Sequence, residues 1–284
     1  MRIKHWLKNG LIFLPLLCSS NFFEVSTLSK TIVAFFSFSF AASAVYIIND
    51  LRDADKDSLH NIKKHRPIAS GRIKPFKAKI LVFLMCICSL ILHFIAAGFE
   101  LSSLTYLLLY LSLNCGYSFG LKNYAIVDVV ILAIGFVLRM LYGGAICDIE
   151  LSKWIYLVVI CFSFFLALGK RRNELIQNGV ETRKSLQYYS YEFLDRNMYM
   201  YLGLTIVFYS LWTMDNHELN TLFWTIPILL LICMRYSMDV ENSQSPGDPV
   251  EVILADQILI VLVCLFIILF FISIYGKTIC MIIL

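Results

Sequence analysis

The chain has 284 residues, 59% of them apolar and 15% charged, with a mean hydropathy of +0.75 and a formal net charge of +4. Soluble domains run at about 45–50% apolar. The composition therefore excludes a water-soluble domain and points to an all-α polytopic membrane protein, one membrane-embedded domain over 1–284. The modest charge gives no sign of a nucleic-acid partner. Nine cysteines sit singly, mostly in apolar runs, without zinc or redox spacing, and read as small buried hydrophobes.

Nine apolar segments follow one another, at roughly 9–24, 28–48, 76–97, 101–119, 124–145, 153–169, 197–214, 221–238 and 256–282. Most approach the ~20 residues that cross a bilayer. The first is short and interrupted by Pro15, and no cleavage site of a signal peptide is evident, so it is read as the first span. Basic residues alternate strongly between connections. Arg2, Lys4 and Lys8, the stretch Arg52–Lys79, Lys122, the stretch Lys170–Arg196 and Arg235 fall on one side; only Lys30, Lys153 and Lys277 fall on the other. The positive-inside rule then places the N-terminus and the loops 49–76, 119–123, 169–196 and 235–255 in the cytoplasm. Lys8, Lys63, Lys122 and Lys170 are thereby expected at one face, with loops 49–76 and 169–196 as its polar cap.

The second segment ends in a run of small residues and Tyr46, then enters NDLRDADKDSLHNIKKHRPIASGR, Asn49–Arg72. Acids come first (Asp50, Asp53, Asp55, Asp57), bases after (Lys63, Lys64, His65, Arg66, Arg72). A helix continuing past Asn49 would put Asn49, Asp53 and Asp57 on one face at i, i+4, i+8, with Asp50 beside them and Asp55 pointing away. Clustered oxygen ligands suit Mg²⁺, which is held by one or two carboxylates plus substrate phosphates. The bases downstream suit phosphate oxygens. Tyr46, one turn before Asn49, is either a further group near the metal or an ordinary interfacial tyrosine.

Tyr117–Asn123 is short enough for only a tight turn. The fifth segment carries Asp128 and Arg139, eleven residues apart and so on one helical face, and ends in Gly143-Gly144. Ionisable groups at such depth usually face a cavity or a partner, an ion pair to another helix included. The sixth ends in Gly169-Lys170-Arg171-Arg172-Asn173-Glu174, with Lys170 and Glu174 at i, i+4 of a continuing helix. A polar loop through Arg183 and Lys184 follows. Arg235, Asp239, a turn-rich stretch around Pro246 and Pro249, and Asp256 lead into the last segment. No dinucleotide fingerprint, P-loop, HExxH or nucleophile elbow occurs.

The Asn49-Asp50-x-x-Asp53-x-x-x-Asp57 pattern and the trailing His65-Arg66-Pro-Ile-Ala-Ser-Gly71 resemble the UbiA prenyltransferase superfamily. That resemblance implies nine helices around a cytoplasm-facing cavity in the bacterial inner membrane, and a Mg²⁺-bound diphosphate. Usual members carry a second acidic motif, DxxxD, where this chain has Gly169–Glu174. The departure, together with Trp6-x-Lys8-Asn9, Phe119–Lys122, Leu138-Arg139, Arg183-Lys184-Ser185-Leu and Arg235-Tyr-x-x-Asp239, looks like the branch that transfers 5-phosphoribose from 5-phosphoribosyl 1-diphosphate to a polyprenyl (decaprenyl-like) phosphate. The resemblance implies Asp50, Asp53 and Lys170 as catalytic groups and Asn49, Asp53 and Asp57 as metal ligands. It implies Lys8, Asn9, Tyr46, Lys63, Arg66, Lys122, Arg139, Lys170, Arg171, Glu174, Arg183 and Lys184 as substrate-binding. An aromatic-acceptor polyprenyltransferase and, from another class, a transporter are the alternatives; a transporter usually shows paired repeats, and none is evident. Partners would be the lipid substrate and membrane lipids, with a homo-oligomer left open.

Overall fold

A computed structural model defines the fold. It describes residues 3–59, 63–179, 183–215, 217–241 and 249–283, excluding the side chains of 3, 4, 20, 21, 63, 178, 217–220, 249–251 and 277–283. Among the described residues the regular structure is entirely helical. Eight long helices carry it: α1 Val25–Arg52, α2 Pro75–Ala97, α3 Leu101–Phe119, α4 Val127–Cys147, α5 Lys153–Asn178, α6 Tyr191–Asp215, α7 Ile226–Glu241 and α8 Gln257–Ile283.

The expected first span is not one continuous α-helix. Residues Ile3–Phe13 form a 3-10 helix, Leu14–Leu17 one α-turn, and Ser20–Phe23 another 3-10 turn. Gly10 and Pro15 explain the difference, since glycine weakens a helix and proline removes a donor from it. Six helical stretches among the described residues are long and apolar enough to cross a bilayer: Val25–Arg52, Pro75–Ala97, Val127–Cys147, Lys153–Gln177, Thr221–Glu241 and Gln257–Gly276. The protein is thus a multi-pass membrane protein. Helices α3 and α6 form where spans are expected, but α3 carries Ser, Asn and Tyr, and α6 opens with Glu192, Asp195 and Arg196.

Residues 169–178 lie within α5, the continuing helix on which Lys170 and Glu174 stand at i, i+4, because Lys, Arg, Glu and Leu all propagate a helix well. The stretch ahead of α8 holds a short helix, Pro249–Ala255, and the turn around Pro246 lies outside the described residues.

The chain divides into two compact units. The first comprises residues 1–131 and 138–150, the second 132–137 and 151–284, so α4 contributes to both. In the first unit α1 packs along α2, and the small residues Ala34, Ala41, Ala42, Ser43 and Ala44 of α1 are almost wholly buried. Small side chains let helix backbones approach closely where lipid supplies no hydrophobic drive. In the second unit α5 packs along α6. Phe164 stacks on Tyr201 at 4.9 Å, and Gly169 faces the sulfur of Met198. The outward faces of α2 and α8 remain apolar and exposed, as lipid-facing surfaces are.

Candidate functional site

In the first unit the acid motif straddles the end of α1. The helix closes at Arg52, and Asp53 is its C-cap, with φ −96° and ψ 4°. A short helix, Ala54–Ser58, follows. The bend does not break the ladder: Asp53 N–H donates to Asn49 C=O at 3.0 Å and Asp57 N–H to Asp53 C=O at 2.8 Å. The i, i+4, i+8 spacing is therefore kept, although no single helix runs through it.

The carboxylates do different things. Asp57 is buried, and one guanidinium nitrogen of Arg66 bridges it at 2.5 Å to Asp50 at 3.2 Å. Asp53 is half-buried, and Lys122 Nζ donates to both its oxygens, at 2.6 and 2.7 Å. Asp55 is exposed. Lys122 reaches Asp53 from the short turn Leu121–Asn123, which Gly120 admits with φ +147°. The turn closes through Ile126, held at φ +67°, with Val127 N–H bonded to Ala125 C=O at 2.8 Å. That γ-turn conformation is rare for a β-branched residue and strained.

Among the described residues no group of three or more His, Cys, Asp or Glu side chains is placed to hold a metal. Of the expected trio Asn49, Asp53 and Asp57, Asp57 is paired with Arg66. Asp53 suits a hard cation: both its oxygens already face the Lys122 ammonium. Asn49, half-buried one turn earlier, would offer a second oxygen. Two such donors would suffice for Mg²⁺ together with substrate phosphates.

Deeper in the same unit, Arg139 and Asn9 meet in the core. Arg139 Nε donates to Asn9 Oδ1 at 2.7 Å and its terminal nitrogen to Tyr110 OH at 3.1 Å. Asn9 Nδ2 donates to Ser39 Oγ at 2.9 Å. The guanidinium lies over the Phe38 and Tyr110 rings, 5.1 and 4.8 Å from their centroids. Both residues, expected as substrate-binding groups, hold each other and are almost fully buried. Tyr46 packs on His5 at 5.4 Å between ring centroids, and Lys8 is half-buried. The side chain of Lys63 lies outside the described ones.

The second unit carries a base cluster at the end of α5. Arg171, wholly buried, donates to Glu174 Oε2, and Arg183 Nε lies 3.6 Å from that same oxygen. Lys170 adds a third positive charge close enough to stabilise the carboxylate. One acid among three bases leaves a net positive cluster suited to phosphate oxygens. Lys184 is exposed, apart from this group, while its neighbours Ser185 and Leu186 are buried.

Sequence reasoning missed two participants. Arg172 is buried, pairs with Asp195 at 2.8 Å, donates to Tyr191 OH, and lies 4.7 Å from that ring's centroid. It thus ties α5 to the start of α6; beside Lys170 and Arg171 it alone was given no role, although at 100° per residue the three bases point three ways. Tyr110 gave no signal at all, being one aromatic among many in an apolar run.

A decaprenyl-phosphate phosphoribosyltransferase of Mycolicibacterium smegmatis is 33% identical to this chain, covering 92% of it and 87% of the relative. The protein of the same description from Corynebacterium glutamicum is 34% identical, covering 92% and 81%. A UbiA homologue from Archaeoglobus fulgidus, solved with GPP and Mg²⁺, superposes with a TM-score of 0.73 over 96% of this chain and 97% of that one at 17% identity, which speaks to the fold. Residues 12–182 match the UbiA prenyltransferase family model, and the chain is an enzyme that belongs to the UbiA prenyltransferase family.

Proposed function

We propose that the chain transfers 5-phosphoribose from 5-phosphoribosyl 1-diphosphate to a polyprenyl phosphate and releases diphosphate, at the cytoplasmic side of the bacterial inner membrane. The observation that carries this reading is the base cluster of the second unit, where Arg171 and Arg183 converge on one oxygen of Glu174. A site for a prenyl diphosphate needs a second carboxylate pair there; a site for a donor with an additional phosphate needs bases.

In this reading Asn49 and Asp53 hold Mg²⁺, which when bound neutralises charge on the departing diphosphate. Lys122 and Arg66 exchange their carboxylate partners for diphosphate oxygens. Each such charge-assisted bond is worth about 1.5–3 kcal/mol. In the second unit Glu174 orients Arg171 and Arg183, which with Lys170 make a cluster suited to a phosphate. The bond from the anomeric carbon to the diphosphate oxygen breaks as a lipid phosphate oxygen attacks that carbon. The attacking oxygen is already anionic at neutral pH, so no side chain has to remove a proton.

The test offers purified protein, in detergent with Mg²⁺, labelled 5-phosphoribosyl 1-diphosphate plus polyprenyl phosphate, and separately a prenyl diphosphate plus an aromatic acid. A labelled lipid product from the first pair alone is expected. Product from the second pair alone refutes the reading.

A further inference from the structure

Arg139 bonds Asn9, whose other partner Ser39 lies ten residues, about 15 Å at 1.5 Å per residue, along α1 from Asn49. Besides Tyr110 of α3, Arg139 bonds the N-terminal 3-10 segment Ile3–Phe13 through Asn9. That segment climbs α1 by successive rungs: Asn9 bonds Ser39 at 2.9 Å, Trp6 Nε1 donates to Ser43 Oγ at 3.1 Å, and His5 packs on Tyr46. The rungs on α1 are four and three residues apart, one helical stripe, and the stripe leads up to Asn49 and Asp53. From the other side α4 holds the segment at two points one turn apart. Arg139 bonds Asn9, and Gly143 admits the Ile12 carbonyl so closely that a Cβ there would lie 2.0 Å from the oxygen.

We propose that Arg139 is a positioning residue: through Asn9 it locks the segment Ile3–Phe13 against α1, and the locked segment forms a fixed wall beside the acid motif that sets donor affinity. The proposal rests on the function above for what the wall serves. The locking itself rests only on these contacts. A guanidinium suits the task because its planar fork bonds Asn9 and Tyr110 at once while its face lies on aromatic rings, which an ammonium cannot reproduce.

The experiment compares wild type, Arg139→Lys, Arg139→Gln and Ser39→Ala as full chains in lipid nanodiscs. It reads amide hydrogen exchange of the peptide covering 3–13 and, separately, KM for the phosphoribosyl donor and kcat. Expected for Arg139→Gln are exchange in that peptide faster by about tenfold or more and a donor KM raised roughly tenfold, the range of one lost charge-assisted bond. Here kcat stays within about twofold, since no transition-state contact is removed. Arg139→Lys should recover part of both changes. Ser39→Ala, which leaves the guanidinium in place, should loosen the same peptide by less. Unchanged exchange in Arg139→Gln overturns the proposal, and so does faster exchange with an unchanged donor KM. Should Arg139→Gln not fold, Ser39→Ala decides on the same two readouts. If wild type itself does not use the donor, the proposed function fails, and exchange alone decides whether Arg139 locks the segment.

Discussion

Gly143→Ala should be among the most destabilising single-methyl changes in this protein. An added Cβ would lie 2.0 Å from the Ile12 carbonyl oxygen, 2.8 Å from its carbon and 2.9 Å from its Cα. All three are backbone atoms, so no rotamer relieves the clash. Real Cβ contacts essentially never close below 3.0 Å, so the 3-10 segment must move from α4 by about 1 Å. A shift of that size also breaks the 2.7 Å bond from Arg139 to Asn9, one turn away. Overpacking costs about 1–3 kcal/mol, and the lost charge-assisted bond about 1.5–3. The two share one displacement and do not add fully, so the expected loss is about 3 kcal/mol. For a chain this long each kcal/mol shifts Tm by about 2–4 °C, so thermal unfolding of the detergent-purified variant should fall by roughly 6–12 °C. Gly203→Ala is the control. That glycine lies within α6 with nothing within 4 Å of an added Cβ, and alanine there should stabilise by about 0.5–1 kcal/mol. Equal melting of Gly143→Ala and wild type would refute the close approach.

Four further outcomes are expected. Asp53→Asn should abolish turnover and its Mg²⁺ dependence, while Asp55→Asn, exposed and turned away, should keep both; a metal titration of activity compares them. Lys122→Met should weaken donor binding about ten- to a hundredfold, the range of one charge-assisted bond, and leave folding intact; isothermal titration with the donor measures it. Arg172→Lys should lower Tm by several degrees, because an ammonium cannot pair with Asp195 and cover the Tyr191 ring in the same geometry; an unchanged melting curve would remove it as the tie between α5 and α6. Ile126→Gly should raise stability by about 1 kcal/mol by relieving the positive-φ strain, and a lowered Tm would count against the γ-turn.

The two charged clusters that carry the proposal differ in how much of them could be seen in the chain alone. The acid motif was legible because its spacing is local: Asn49, Asp53 and Asp57 share a face through backbone bonds four residues apart, even across the bend at Asp53. The ion pairs that divide its labour were not, since Lys122 lies 69 residues from Asp53. Likewise Lys170 and Glu174 could be paired by helical spacing, but the arrival of Arg183 at Glu174 depends on a turn after α5.

What the amino-acid order determined by itself was hydropathy, charge and local spacing. Those settle that the chain crosses membranes as helices, where acids and bases are concentrated, and which residues share a helical face, because each depends only on near neighbours along the chain. What the tertiary structure alone decided was which distant groups meet. The first apolar segment proved to begin as a 3-10 helix, and Asn9 and Arg139, 130 residues apart, proved to hold each other. A buried guanidinium takes whatever acceptors packing brings within about 3 Å, and packing is a property of the whole folded unit, not of any stretch of its sequence.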